Sequence, residues 1–231
     1  MKLIKRLICL LLILFVVWSG IVIKKGYDFY YKTLSEKPLE DVILEIKNKE
    51  NYTYYEDIPD FYFKALVAVE DRRFYSHHGF DIVGSARALY NDLKAGKYLE
   101  GGSTISQQLA KNLYFPFDYT LNRKIAEIFM ALKIEREFTK EEVLEIYVNA
   151  IYYGSGYYNI YDASVGYFDK PPADMNEYEC SLLVGIPNAP SVYSLDVNPD
   201  LAHQRQKKVL STMVECNYIT EKEAELIVQY K

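Results

Sequence analysis

The chain has 231 residues, with 27 Lys and Arg against 32 Asp and Glu, a net charge of −5, and half of its residues apolar. This apolar and aromatic content excludes intrinsic disorder, the length suits one domain with a substantial core, and the acidic total excludes nucleic acid as the main partner. Three cysteines, Cys9, Cys180 and Cys216, do not make a disulfide scaffold, and Cys180 sits in an apolar run that buries it.

Residues 7–23 form an almost unbroken aliphatic run. At about 1.5 Å per residue it spans ~25 Å, close to the ~30 Å hydrocarbon core of a bilayer. Leu3 and Ile4 extend it, because Lys5 and Arg6 can snorkel. The bulky Val16-Val17-Trp18 offers no small-x-small cleavage site, so the run reads as an uncleaved transmembrane signal anchor. Lys2, Lys5 and Arg6 precede it, which makes residues 1–6 a cytoplasmic stub. The chain from about residue 26 then faces the extracytoplasmic side of the cell membrane. Tyr27, Phe29, Tyr30 and Tyr31 read as an interfacial aromatic belt.

Residues 24–59 form a polar, acidic juxtamembrane segment in which Tyr52-Thr53-Tyr54-Tyr55 has the composition of a short strand. From residue 60 to 231 helical patterns dominate. Phe63, Leu66 and Val67 make an i, i+3, i+4 stripe, and Leu121, Ile125, Ile128, Phe129 and Leu132 a longer one. Capping-box spacing predicts helix starts at Thr139 with Glu142, at Asp174 with Glu177, and at Thr220 with Glu223. Pro187 stops the second of these. Residues 76–104 and 152–175 read as long loops able to carry function.

Three segments have the residue types that chemistry needs. Glu70 falls seven residues after Phe63, on the face that the helix buries. Desolvation there suits a general base or acid, while the structural alternative is a helix-ending pair with Arg72 or Arg73. Gly101-Gly102-Ser103-Thr104-Ile105-Ser106-Gln107-Gln108 lets the backbone approach a ligand and offers hydroxyls and amides, with Lys111 adding charge. If Ser103 or Thr104 caps the following helix, its free N–H groups favour an anion; the alternative is an ordinary loop and cap. Arg123, Glu127, Met130 and Ile134 form a second stripe, which carries an i, i+4 ion pair inward toward a polar cleft or into a structural salt bridge. The histidines His77, His78 and His203 do not have the spacing of a metal site.

Together these segments resemble the peptidoglycan glycosyltransferases, the domain family shared with class A penicillin-binding proteins, in its monofunctional, membrane-anchored form. Glu70-Asp71-x-x-Phe74-x-x-His77-x-Gly79 is similar to the family's first motif, and Gly102-Ser103-Thr104-Ile105-Ser106-Gln107-Gln108 with Lys111-Asn112 to its second. Arg123-Lys124-x-x-Glu127 resembles the third. Glu145-x-Tyr147-x-Asn149-x-Ile151-Tyr152-Tyr153-Gly154 resembles the fourth, and Leu182-Leu183-x-Gly185-Ile186-Pro187-x-Ala189-Pro190-Ser191 the fifth. No transpeptidase domain is expected after Lys231. Two departures stand out. Tyr119 occupies a position where the family often has a basic residue, and Asn159-Ile160-Tyr161-Asp162-Ala163 replaces a Gly-x-x-Ala-Ala-like stretch.

The resemblance implies a mainly α, lysozyme-like, two-lobed helical domain over residues 60–231, behind a single N-terminal transmembrane helix. It implies transfer of the growing glycan from its lipid pyrophosphate to the 4-hydroxyl of the next lipid II, with inversion. Glu70 is then the general base, and Glu127 assists at the donor pyrophosphate, with Lys111, Arg123 and Lys124 supplying positive charge. Arg87, Gly102, Ser103, Thr104, Gln107 and Gln108 bind sugar or phosphate, and Asp71, Arg73, Phe74 and His77 shape the site around Glu70. No cofactor is required and no resident metal is expected, although a divalent cation, Mg or Mn, can assist at the pyrophosphate. The implied partners are lipid II, the nascent glycan strand, the membrane and other wall-synthesis proteins. A lysozyme-type wall hydrolase and a catalytically silent scaffold are the rival readings. The net charge also divides unevenly, with +5 over residues 1–26, −4 over 27–69, +2 over 70–136 and −8 over 137–231. The stretch with the three chemical segments is slightly basic, which suits an anionic ligand.

Overall fold

The structure, a computed structural model, describes residues 2–96, 101–115 and 120–229. The N-terminal apolar run contains no proline, so it continues through the aromatic segment as one helix, α1 (Lys2–Glu36). It is long and apolar enough to cross a membrane, and none of its apolar window is buried in the protein. Within α1 only Gly26 is fully buried. A glycine inside a helix costs about 1 kcal/mol relative to alanine, and here it answers to a close approach. A Cβ at Gly26 would stand 2.4 Å from Ile125 Cγ2.

Helix α2 (Leu39–Lys47) buries Leu39, Val42, Ile43 and Ile46 in the main core, although the sequence division sets residues 24–59 apart as a juxtamembrane segment. The strand expected at Tyr52–Tyr55 is absent, and a short 3-10 turn, Tyr55–Asp57, takes part of its place. The backbone of Thr53 pairs instead with a side chain. Its N–H donates to Asn149 Oδ1 at 2.9 Å, and its carbonyl accepts from Asn149 Nδ2 at 2.8 Å. One amide thus satisfies the backbone groups that a partner strand would otherwise occupy.

Helix α3 (Asp60–Glu70) buries Phe63, Leu66 and Val67 as its stripe predicts. The expected loop 76–104 contains helix α4 (Ile82–Ala95), whose apolar residues Ile82, Val83, Leu89, Tyr90 and Leu93 stay exposed. These residues share one face at helical spacing, and only Ala88 of α4 is buried. Helices α5 (Ile105–Tyr114), α6 (Leu121–Glu137) and α7 (Lys140–Ala150) pack with α5 between the other two. The expected loop 152–175 contains helix α8 (Ile160–Phe168), capped by Asn159, whose side chain accepts from Asp162 N. The departure from the family pattern at Asn159–Ala163 is therefore a helix start.

The helix expected from Asp174 begins two residues later, as α9 (Glu177–Gly185), because Asn176 and Glu179 make the reciprocal capping box. Asp174 ends a 3-10 turn instead, and Pro187 lies in a second such turn that closes α9 as predicted. The short α10 (Pro190–Tyr193) leads to α11 (Pro199–Glu215) and α12 (Glu221–Gln229). Thr139 with Glu142 and Thr220 with Glu223 make their expected caps. Among the described residues the fold is all helix and turn, with α3, α9 and α11 packed together on one side and α1 against α6 on the other. Cys180 is fully buried, which pushes its thiol up, and all three cysteines are unpaired.

Two contacts fix the start of α5. Thr104 Oγ1 accepts from Gln107 N at 3.1 Å and donates to the Gly79 carbonyl at 2.7 Å. Gly79 itself has φ +88°, and a Cβ there would meet the Ala131 carbonyl oxygen of α6 at 2.6 Å. Thr104→Val keeps the shape and removes both bonds of a residue that is 2% exposed. The expected loss is about 2 kcal/mol of unfolding free energy, read from the urea midpoint of the detergent-solubilised protein.

Candidate active site

Helix α5 and the residues just before it tie two groups of charged side chains together. At one end of this segment, Gln108 Nε2 donates to Glu70 Oε2 at 2.7 Å. Five positions earlier, Ser103 Oγ accepts from Lys124 Nζ at 2.7 Å. Ser103 lies just before the Thr104 cap and Gln108 in the second turn of α5, so one short segment links the two groups.

Glu70 is the last residue of α3, and its side chain is 12% exposed. The structural alternative of pairing with Arg72 or Arg73 does not occur. Arg72 bonds Glu215 at 2.6 Å, and Arg73 Nε donates to Asp81 at 3.0 Å. Glu70 Oε1 instead faces Arg205 Nη2 of α11 at 3.6 Å. Gln108 is held in turn by Tyr147, whose hydroxyl donates to Gln108 Oε1 at 3.0 Å. Tyr147 is buried, which pushes its phenol well above the ordinary value and keeps it a hydrogen-bond donor. One carboxylate therefore has a neutral donor on one oxygen and a cation near the other.

At the other end, Glu127 is 1% exposed and both of its oxygens are engaged. Arg123 Nη1 bonds Oε1, and Lys124 Nζ lies 3.1 Å from Oε2. The inward stripe predicted for α6 is present, with Glu127, Met130 and Ile134 all buried. The Leu121 stripe faces the other way, with Ile125 against Gly26 and Phe129 against the rings of Tyr27 and Tyr30. Part of the aromatic belt is thereby used to dock α1. Arg123 Nε is buried without a hydrogen-bond partner among the described residues. Two cations face a single carboxylate here, so the group carries an excess positive charge suited to an anion.

Several sequence-predicted residues are enclosed and form the frame. Asp71 accepts from His77 Nε2 at 2.9 Å and from the Ile105 N–H at 3.1 Å, which joins the end of α3 to the start of α5. His77 Nδ1 lies 3.7 Å from Glu135 of α6, which also bonds Ser106 and, at 2.5 Å, Lys140. Phe74 is buried with the Lys140 ammonium 4.2 Å above its ring. Burial alone would raise the pKa of Asp81, but the Gly84 N–H and the Arg73 guanidinium outweigh it and hold the carboxyl below its ordinary value. Thr104 and Gln107 are buried at the cap, whereas Gly102 and Lys111 are exposed at the site's edge and Arg87 on α4. Tyr119 lies outside the described residues.

Arg205 and Glu135 are not singled out by the sequence, and Tyr147 stands there only within the fourth motif, with no role at the site. Arg205 follows Ala202 by three and precedes Val209 by four, so it stands on the buried stripe of α11. Gly185 accommodates its side chain, since a Cβ there would be 2.9 Å from Arg205 Cγ. A charge on an apolar stripe was the available signal, as it was for Glu127.

The transglycosylase family model matches residues 36–214. The chain is 38% identical over 203 residues to a monofunctional glycosyltransferase of Staphylococcus saprophyticus, covering 85% of this chain and 75% of that protein. It is 42% identical over 193 residues to penicillin-binding protein 1F of Bacillus subtilis, and 43% identical over 177 residues to penicillin-binding protein 1A of Aquifex aeolicus. These alignments cover 84% and 77% of this chain but 27% and 24% of those proteins, so it spans about a quarter of their length.

Proposed function

The chain belongs to the transglycosylase family and is a peptidoglycan glycosyltransferase, and we propose that it polymerises lipid II into β-1,4-linked glycan. The observation that carries this reading is the pairing along α5 of Glu70 with the Arg123–Lys124–Glu127 group. Glu70 takes the proton from the acceptor 4-hydroxyl as that oxygen attacks the donor's anomeric carbon. The glycosidic bond forms with inversion while the bond to the pyrophosphate breaks. Undecaprenyl pyrophosphate leaves as an anion, and Lys124, Arg123 and Lys111 stabilise the charge that develops on it. Gln108, Arg205 and Tyr147 fix the direction of the Glu70 carboxylate.

Anchoring fits this substrate. In this reading α1, long and apolar enough to cross a membrane, does so with residues 1–6 inside, and the exposed apolar face of α4 suits contact with the outer bilayer surface. The divalent cation finds a poor ligand set at this site. Both oxygens of Glu127 are already bonded to cationic side chains, and among the described residues no group of three His, Cys, Asp or Glu is placed to hold a metal ion. No step of the proposal passes through a metal.

The test is incubation of the purified full-length protein with labelled lipid II, with and without a chelator. Long glycan is expected in both, at similar rates. Shortening of preformed glycan without polymerisation would favour a hydrolase, and an inert wild type would favour a scaffold. A wild type active only with added Mg or Mn would overturn the metal-independent mechanism.

A further inference from the structure

The anchor helix packs on the helix that carries the candidate donor site. Contacts run in the same direction along both. Gly26 meets Ile125 and the Asn122 carbonyl, Tyr27 and Tyr30 meet Phe129, and farther along Leu34 lines one groove with Lys133 and Arg136. Helices α1 and α6 are therefore parallel, and the start of α6 lies nearest the membrane-crossing segment.

The register has a definite height. From Ile23, the end of the aliphatic run, to Gly26 is three residues, or ~4.5 Å along a continuous helix. The headgroup layer on each side of a bilayer is ~5–7 Å thick. Ile125 sits between Lys124 and Glu127 in sequence, so the Gly26–Ile125 contact sets these side chains at the depth of lipid phosphates. Only a residue without a side chain permits this contact, since a Cβ at Gly26 would overlap Ile125.

We infer that Gly26 is a positioning residue, and that the unbroken α1 is a ruler holding the Arg123–Lys124–Glu127 group at the phosphate plane of the membrane. This rests on the glycosyltransferase reading above. A donor whose tail is held in hydrocarbon presents its pyrophosphate at one depth. A site raised above that depth is reached only by drawing apolar tail into water. The anchor then does more than keep enzyme and substrate on one surface, and a longer tether would not replace it.

Two variants test the inference in liposomes containing full-length lipid II, with a short-chain, water-soluble lipid II analogue as the second substrate. The first inserts seven polar helix-forming residues between Lys25 and Gly26. Two turns keep the face of α1 and the Gly26–Ile125 contact but raise the domain by ~10 Å. The second is Gly26→Ala, alone and combined with Ile125→Ala, which returns the space. The insertion is expected to lower kcat/KM on bilayer lipid II by about 100-fold, through KM, and to leave the soluble analogue within about twofold of wild type. Gly26→Ala is expected to show the same bias in smaller degree and the double variant to recover. An insertion variant as active as wild type in the bilayer overturns the inference, as does equal loss on both substrates, which would report a damaged fold. A wild type inert on both substrates instead removes the glycosyltransferase reading, and the inference with it.

Discussion

Glu70→Gln is expected to lower lipid II polymerisation by roughly 10²–10⁴-fold while the protein stays folded and still binds lipid II. The substitution is nearly isosteric, so the end of α3 and its contact with α5 keep their shape. Gln108 still finds an oxygen to donate to, but the amide cannot accept a proton from the acceptor hydroxyl. Arg205 loses its anionic neighbour at 3.6 Å, yet at 17% exposure it retains some access to water, so the cost in stability is small. Chain growth on gels measures the rate, and lipid II binding by the variant in detergent measures whether the site survives. A variant that polymerises at more than about a tenth of the wild-type rate would assign the proton transfer to another group. Arg205→Met gives the complement. It should weaken catalysis less than Glu70→Gln, because Gln108 and Tyr147 still aim the carboxylate.

Sequence periodicity revealed what depends on neighbouring residues and missed what depends on distant ones. The two stripes of α6 were readable because each is a set of side chains on one helix, and their separate partners, α1 and the core, follow from there being two. The caps at Thr139 and Thr220 were readable for the same reason, since a capping box closes within four residues. The misplaced start of α9 shows the limit of that signal. Asp174 with Glu177 and Asn176 with Glu179 have the same spacing, and Pro172 and the turn it begins decided between them. Helix α4 was missed although Ile82, Val83, Leu89, Tyr90 and Leu93 share one face at helical spacing, a face that the structure leaves exposed. The strand at Tyr52 was a β-prone composition whose backbone found Asn149, nearly a hundred residues away. Glu70, Ser103, Gln108, Lys124 and Glu127 were each visible as chemistry-bearing types in patterned segments, but their meeting along α5 is a tertiary fact. Arg205 needed α11 to be docked on α3 before its charge had any meaning.

At the cationic end of the site the separation of catalysis from stability depends on which residue is changed. Lys124 is 39% exposed, and it bonds both Ser103 and Glu127. In Lys124→Met, Glu127 keeps Arg123 as a partner and Ser103 remains hydrated, so the unfolding midpoint should change little. The developing pyrophosphate charge, however, loses its nearest flexible cation, and polymerisation should fall by about 10²–10³-fold. Glu127→Gln behaves differently. Its carboxylate is 1% exposed and balances two cations, and Arg123 has only 14% of its side chain exposed. Removing the negative charge leaves that guanidinium buried without its counter-ion, which costs on the order of 3 kcal/mol of stability. Rate and stability should then fall together, and a second substitution, Arg123→Met on the Glu127→Gln background, should restore stability without restoring rate. Unfolding midpoints and polymerisation rates measured on the three variants separate the roles. If Lys124→Met polymerises like wild type, the donor pyrophosphate does not sit at this end of α5. If it loses stability as Glu127→Gln does, the group is a structural ion network, and the catalytic charge must come from the exposed Lys111 or from Arg87.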